Sequence, residues 1–258
     1  MWGIIPAAGR GSRIQPLAFS KELLPVGGHT PDDTQRPRAV SEYLVERLIR
    51  GGADRICFVI SADKCDILEY FGGRFASADL VYAVQARPAG LCDAIFRAHP
   101  LIDTGDTVAV GLPDTVWFPQ SALATLPDEV LSFLLFPVDR PEHFDAVLLD
   151  EHGSVLEIRV KQAEPGSPWI WGAFKMPGST FHALRELWYE RRCADEYFGT
   201  LINAYLAQGG SARGIKAGTA YIDVGTLDGY RAAMTMLSGG HEQPAHDSVI
   251  RDGAQRAS

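Results

Sequence analysis

The sequence predicts an α/β protein: a mixed, mostly parallel β-sheet flanked by helices. Two kinds of pattern carry that prediction. Short apolar runs of the buried-strand type recur at 55–60 (RICFVI), 80–84 and 107–110. Between them lie stretches with helical spacing, so strand and helix alternate, and a parallel sheet covered on both faces follows.

Ile4 and Ile5 open the chain in a run too short to assign alone. Leu44, Val45, Leu48 and Ile49 recur at helical spacing, and Gly51-Gly52 is a natural stop. Leu91, Ala94, Ile95 and Ala98 repeat at i, i+3, i+4 and i+7, which predicts a helix over about 90–99. The second half reads as strands at 131–136, 144–149, 154–160 and 169–174, with a turn at Asp150-Glu151-His152-Gly153. Helices are expected near 180–191 and 197–208, a short strand at 213–216, and a last helix marked by Leu227, Tyr230, Met234 and Leu237. Residues 238–258 are rich in Gly, His, Gln and Asp and read as a loose tail.

The 258 residues suffice for one large domain, expected over 1–237. Net charge is −8 and no long basic stretch exists, which argues against nucleic acid as a partner. No apolar stretch approaches the roughly 20 residues of a membrane span, and the N-terminus lacks signal-peptide character. Cys57, Cys65, Cys92 and Cys193 form no CxxC pair and no zinc-like spacing. They read as reduced thiols in a cytoplasmic protein.

The stretch Gly3–Gly28, GIIPAAGRGSRIQPLAFSKELLPVGG, carries the first chemistry. Ala8, Gly9 and Gly11 follow the opening apolar run, and glycines let backbone N–H groups approach phosphate oxygens. A dinucleotide fingerprint requires G-x-G-x-x-G/A opening into a helix, and Pro16 interrupts any helix here. A G-x-x-x-x-G-K-[ST] loop is absent. On the glycines alone, an ordinary turn and an anion cradle stand about even. Arg13 and Lys21 add a planar fork and a point charge beside whatever the amides hold.

With those residues included, the stretch resembles the signature of the sugar-1-phosphate nucleotidylyltransferases. That pattern is A-G-G-x-G-[ST]-R-[LM]-x-P-L-[ST] followed by P-K-x-L-[LV]-P-[VI]. This chain reads AAGRGSRIQPLA and then SKELLPV, with Ser20 at the proline position, a change expected to loosen the aim of Lys21. Further stretches match. AVGLPDTVWF resembles the family's G-D-x-x-[FY] motif, with Pro113 for glycine, and supplies Asp114. YIDVGTLDGY resembles [WY]-x-D-[VI]-G-T and supplies Asp223. Each aspartate sits at a strand end, where ligands bind in open α/β sheets. Local alternatives are a helix cap for Asp114 and a turn residue for Asp223. QARPAGLCDA supplies Gln85, Pro88 and Gly90 at base-recognition positions, and an amide that donates and accepts suits a pyrimidine edge.

On the sugar side the likeness is weaker. EIRVKQAEP offers Lys161 where the family lysine meets the sugar phosphate, but Val160 replaces the acid before it and Gln162 the proline after it. Asp145 falls where a glycine usually contacts the sugar. Trp171 reads as either a sugar cover or a core residue. The chain also lacks room for the long C-terminal helical extension of the longer thymidylyltransferases.

The resemblance implies a Rossmann-like fold of the nucleotide-diphospho-sugar transferase type. A nucleotide-binding part is expected over about 1–115 and a sugar-phosphate part over about 116–237. It implies an enzyme joining an NTP, dTTP or UTP favoured, to a sugar 1-phosphate with release of pyrophosphate. Mg2+ is implied on Asp114 and Asp223, catalytic roles for Arg13, Lys21 and Lys161, and possible homo-oligomers. Alternatives are a cytidylyltransferase, a non-glucose or non-sugar phosphate acceptor, a nucleotide-sugar-binding regulatory protein without catalysis, and a Rossmann oxidoreductase.

Overall fold

The computed structural model describes residues 1–28 and 36–238. The chain opens on β1 (Trp2–Pro6), then the two-residue strands β2 (Pro25–Val26) and β3 (Arg38–Ala39). There follow α1 (Val40–Arg50), β4 (Arg55–Ile60), α2 (Cys65–Phe71), β5 (Arg74–Phe75), β6 (Ala78–Val84) and α3 (Gly90–Phe96). The middle is strand-rich: β7 (Thr107–Gly111), β8 (Thr115–Phe118), β9 (Ser132–Pro137), β10 (Asp145–Leu149), β11 (Val155–Val160) and β12 (Trp169–Pro177). The chain then runs through α4 (Gly178–Glu190), α5 (Phe198–Ala207), β13 (Arg213–Ile215), β14 (Ala220–Asp223) and α6 (Leu227–Ser238). The expected tail lies almost wholly outside the described residues.

The main sheet is mixed. Its nucleus is parallel, in the spatial order β7-β1-β4-β6. Antiparallel strands extend it from β7 through β12 to β10 and β11, and β9 pairs antiparallel with β12 and parallel with β13. The nucleus strands are apolar on both sides because both faces are covered. Ile4, Cys57, Val59, Val108 and Val110 face one core, packed with Phe96, Phe181, Leu184 and Phe198 of α3, α4 and α5. Their neighbours Ile5, Ile56, Phe58 and Ala109 face the other, with Leu44, Val45, Leu48 and Ile67 of α1 and α2. The alternation is the two-residue period of a strand.

The predicted helix over 90–99 ends earlier, at Phe96. A 3-10 turn, His99–Leu101, takes over where Pro100 has no N–H to donate. Among the described residues the four cysteines are free thiols; Cys57 and Cys92 are buried, and burial pushes the Cys57 thiol up to about 12. No helix of the described residues is long and apolar enough to cross a membrane.

Candidate active site

The carboxyl ends of the four parallel strands lie on one edge of the sheet. The glycine-rich loop leaves β1, Lys64 follows β4, Gln85 follows β6 and Asp114 follows β7. That edge is where open α/β sheets bind ligands. From Gln85 to Asp114 the ladder crosses three inter-strand gaps, roughly 14 Å at about 4.8 Å each. This is comparable to the reach of an extended nucleoside phosphate.

The loop is held with its donors outward. Ala7 N–H donates to Val59 O at 2.8 Å, and the chain then leaves the sheet. Among the described residues none of the N–H groups of residues 8–13 donates a hydrogen bond. Ala8 is buried; Gly9 is exposed, and a Cβ there would meet nothing within 4 Å. Gly11 has φ +65°, and a Cβ on it would lie 2.6 Å from Lys21 Cδ. Glycine at 11 thus serves both the left-handed backbone and the passage of the Lys21 stem.

Lys64 explains the loop's orientation. Its Nζ donates to Ala7 O and Gly9 O, each at 2.7 Å, and to both carboxylate oxygens of Glu22 at 2.8 Å. In a trans peptide the C=O and the following N–H point opposite ways. Drawing the carbonyls of 7 and 9 towards Lys64 therefore turns the N–H groups of Ala8 and Arg10 away from it. Glu22 is fully buried, and that burial raises its pKa against the opposing charges of Lys64 and Lys21. The sequence motifs single out neither residue.

Asp114 and Asp223 meet through a strand pair not anticipated from the sequence. β8 and β14 run antiparallel with Asp223 opposite Thr115, and Val224 N–H donates to Asp114 O at 2.8 Å. Arg47 of α1, itself buried, donates from Nε to Trp117 O at 2.8 Å and ties β8 to the helix. Arg13 Nη1 contacts Asp223 Oδ2 at 2.7 Å, and Lys21 Nζ contacts Asp114 Oδ2 at 2.5 Å. Burial works to raise the Asp114 pKa, but the Lys21 charge and hydrogen bond outweigh it and leave the carboxyl below its usual range. Burial likewise works to lower Lys21, yet the charges of Asp114 and Glu22 prevail and hold it above its usual value.

The donor set fits magnesium. A Cβ on Gly225 would lie 2.7 Å from Asp114 Oδ2 and 2.9 Å from Asp223 Oδ1, so both carboxylates converge on a space only glycine leaves open. Among the described residues no group of three or more His, Cys, Asp or Glu gathers around a common point. Two carboxylates with substrate phosphates and water are the usual magnesium environment.

Ser20 is not the loosening change expected. Its N–H and Oγ donate to the two carboxylate oxygens of Asp66 on α2, both at 2.6 Å. Proline could supply neither donor. This side chain anchors the segment that carries Lys21.

Gln85 also departs from expectation. Its Nε2 donates to Asp93 Oδ2 at 2.7 Å and to Gly90 O at 3.2 Å, so both amide protons are engaged within the protein. Gly90 has φ +86°, and a Cβ would lie 2.8 Å from Glu196 O. Pro88 lies on the exposed loop between them.

The sugar-side residues sit beyond Tyr221. Its ring packs on Phe136 and Phe144, while burial and the Asp223 and Asp114 carboxylates push its hydroxyl well above the ordinary tyrosine range. Asp145 adds to the same push. Burial raises the Asp145 carboxyl, and Lys161 and Trp171 only partly offset it. Trp171 belongs to the core, packed on Phe133 and Phe174; its Nε1 is buried, near Asp145 but without a well-formed hydrogen bond. Lys161 has φ +47° and holds its Nζ 4.6 Å from the Tyr197 ring centroid. Among the described residues its side chain makes no hydrogen bond or ion pair with Arg13, Lys21, Asp114 or Asp223.

Several known proteins are similar to this chain in sequence or fold. The chain is 28% identical over 251 residues to a glucose-1-phosphate thymidylyltransferase of Neisseria gonorrhoeae, covering 92% of this chain and 82% of the relative. It is 24% identical over 193 residues to the UTP–glucose-1-phosphate uridylyltransferase AglF of Haloferax volcanii, covering 71% and 74%. In fold it resembles a Bacillus anthracis protein provisionally described as a glucose-1-phosphate thymidylyltransferase, with TM-score 0.79 and 23% identity over 98% of both chains. UTP-bound UGPase from Acinetobacter baumannii gives TM-score 0.75 at 20% identity, over 94% of each chain. The Nucleotidyl transferase family profile matches residues 2–239, from the first residue of β1 past the end of α6. The outward amides, the two cations and the paired carboxylates thus lie within a match spanning nearly the whole chain, which belongs to the Nucleotidyl transferase family of enzymes.

Proposed function

We propose that this enzyme transfers a nucleotidyl group from an NTP to a sugar 1-phosphate, giving an NDP-sugar and pyrophosphate. The observation that carries the proposal is the cradle: unengaged amides over residues 8–13 beside Arg13 and Lys21, at one sheet edge with Asp114 and Asp223. The relatives named for glucose-1-phosphate thymidylyl and uridylyl transfer support sugar 1-phosphate as acceptor and dTTP or UTP as donor.

The sugar phosphate oxygen attacks the α-phosphorus in line, and the bond to the pyrophosphate oxygen breaks. The nucleophile is already an anion, so no enzyme nucleophile is needed, and catalysis reduces to positioning and charge neutralisation. The amides of Ala8, Gly9 and Gly11 hold phosphate oxygens. Arg13 and Lys21 offset the charge that grows on the leaving pyrophosphate. Asp114 and Asp223 would hold Mg2+, which would supply Lewis-acid stabilisation of the phosphate charge. Lys161 draws in the acceptor phosphate.

We read residues 1–115 as the nucleotide part and 116–237 as the acceptor part of one domain. The free thiols favour a cytoplasmic setting. A second reading concerns the acceptor. Asp145 stands directly opposite Val160 in the β10–β11 ladder, so its carboxylate shares the face of the missing family acid. This favours an acceptor other than glucose 1-phosphate.

A matrix of NTPs against sugar 1-phosphates, read by pyrophosphate release with and without magnesium, tests the proposal. Magnesium-dependent release is expected with at least one pair. No release across a broad panel, despite tight NTP binding, would point to a regulatory protein instead.

A further inference from the structure

Gln85 is held in one orientation. Its backbone N–H donates to Ile60 O at 2.8 Å, fixing it beside the end of β4. Its Nε2 spends both protons, on Asp93 Oδ2 at 2.7 Å and on Gly90 O at 3.2 Å. A carboxylate only accepts, so the amide cannot turn over without setting its oxygen against Asp93. Asp93 is itself clamped: Arg97 Nη2 reaches Oδ1 at 2.6 Å and Nε reaches Oδ2 at 3.2 Å. Gln85 is 4% exposed and Asp93 6%.

One polar atom of Gln85 is left. Its Oε1 accepts no hydrogen bond from the described residues, and it is not among their buried, partnerless atoms. An amide oxygen offers acceptor capacity only. The pyrimidines differ at ring position 3: uracil and thymine carry an N3–H donor there, whereas cytosine presents N3 as an acceptor and carries its donor one position away, on the exocyclic 4-amino group.

We propose that Asp93, held by Arg97, fixes the Gln85 amide so that its oxygen alone meets the base, selecting a pyrimidine with a ring N–H donor, uracil or thymine, against cytosine. The inference rests on the nucleotide-donor reading above. It adds a residue that acts through Gln85, and Asp93 is therefore a positioning residue. In Asp93→Asn the new amide can donate to Gln85 Oε1. The glutamine can then turn its NH2 towards the base at the loss of only the longer bond to Gly90 O, an arrangement cytosine accepts.

The experiment measures Mg-NTP binding by calorimetry for UTP, dTTP and CTP, together with kcat/KM wherever pyrophosphate is released. Inorganic triphosphate binding serves as the fold control. The wild-type protein is expected to prefer UTP or dTTP over CTP by at least about tenfold, the ordinary cost of an unsatisfied polar contact. Asp93→Asn is expected to lower that ratio by about tenfold, through KM rather than kcat. Arg97→Met, which frees the Asp93 carboxylate, should shift it the same way by less, and it decides the matter if Asp93→Asn does not fold. A wild-type preference for CTP overturns the proposal. So does an unchanged ratio in a variant that still binds triphosphate. Failure of pyrophosphate release with every NTP sinks the transfer reaction instead, because the binding ratios still report the base preference.

Discussion

Replacing Lys64 with methionine tests whether a buried ammonium sets the cradle. The variant removes three donors: those to Ala7 O, Gly9 O and the Glu22 carboxylate. Glu22 is 0% exposed and would be left without Lys64, the largest charge opposing its burial. Breaking a buried pair by deleting one member costs about 3–5 kcal/mol. The cost depends on pH in a defined direction. The folded pKa of Glu22 is already above its unfolded value and rises further in the variant. The folded state then binds more protons than the unfolded state in the window above pH 4.5, and stability falls as pH rises through it. Each further unit of elevation adds about 1.4 kcal/mol of loss at pH 8. Urea unfolding at pH 5 and pH 8 reads both quantities. The double variant Glu22→Gln/Lys64→Met removes both charges and should recover much of the loss, because a neutral, well-packed substitute is tolerated where half a pair is not. Inorganic triphosphate binding should remain weak in the double variant, since the carbonyls of 7 and 9 still lack their anchor. A single variant within about 1 kcal/mol of wild type, or a double variant as unstable as the single, would refute the reasoning.

Other substitutions separate scaffold from chemistry. Gly11→Ala should destabilise by about 1–2 kcal/mol in thermal unfolding, from its φ of +65° and the clash with the Lys21 stem, whereas Gly9→Ala should leave stability near wild type and raise the KM for NTP. Ser20→Pro restores the family's residue and suits the local φ of −61°, yet should cost about 1–3 kcal/mol in urea unfolding because both hydrogen bonds to Asp66 are lost. Burial works to raise Asp114, and Lys21 overcomes it, so Lys21→Met should move the acid limb of the pH–rate profile upward as well as lowering kcat by about a hundredfold or more. Asp223→Ala should lose turnover on the same scale, with thermal stability measured alongside to exclude unfolding.

The legible parts of this molecule are those that leave a local trace. The run RICFVI coincides with β4 because a central parallel strand is apolar on both faces. The helix stop at Gly51-Gly52 follows the last residue of α1 directly. Arg13, Lys21, Asp114, Gln85 and Asp223 stand out because each lies in a stretch that resembles a family motif, and Gln85, Asp114 and Asp223 also lie at or just past strand ends. What stayed hidden depends on contacts between distant segments. β8 and β14 are four-residue strands that pair only with each other, and neither has a local pattern strong enough to declare it. Lys64 lies more than forty residues beyond Glu22, and its role follows from three acceptors that come together only in the folded chain. Ser20 looked like a defect because a motif compares one position at a time. Its compensation by Asp66 comes from a helix 46 residues further along.

Contacts between distant segments also shape the sugar side, where the motif is weakest. Val160 and Asp145 look like two separate departures when the chain is read in order. In the β10–β11 ladder they are one directly opposed pair, and opposed residues of an antiparallel pair project from the same face with Cβ atoms about 5 Å apart. A carboxylate missing at 160 is therefore present one strand away, near Lys161 and close enough to Tyr221 to raise its hydroxyl. If the pair acts as one acid group moved across the ladder, Asp145→Gly should weaken acceptor binding, and Asp145→Gly/Val160→Glu should recover it on at least one sugar. KM values for a sugar 1-phosphate panel, with the NTP held saturating, measure this. A double variant no better than Asp145→Gly on every acceptor would mean that the two positions are independent and that the acid cannot be exchanged between strands.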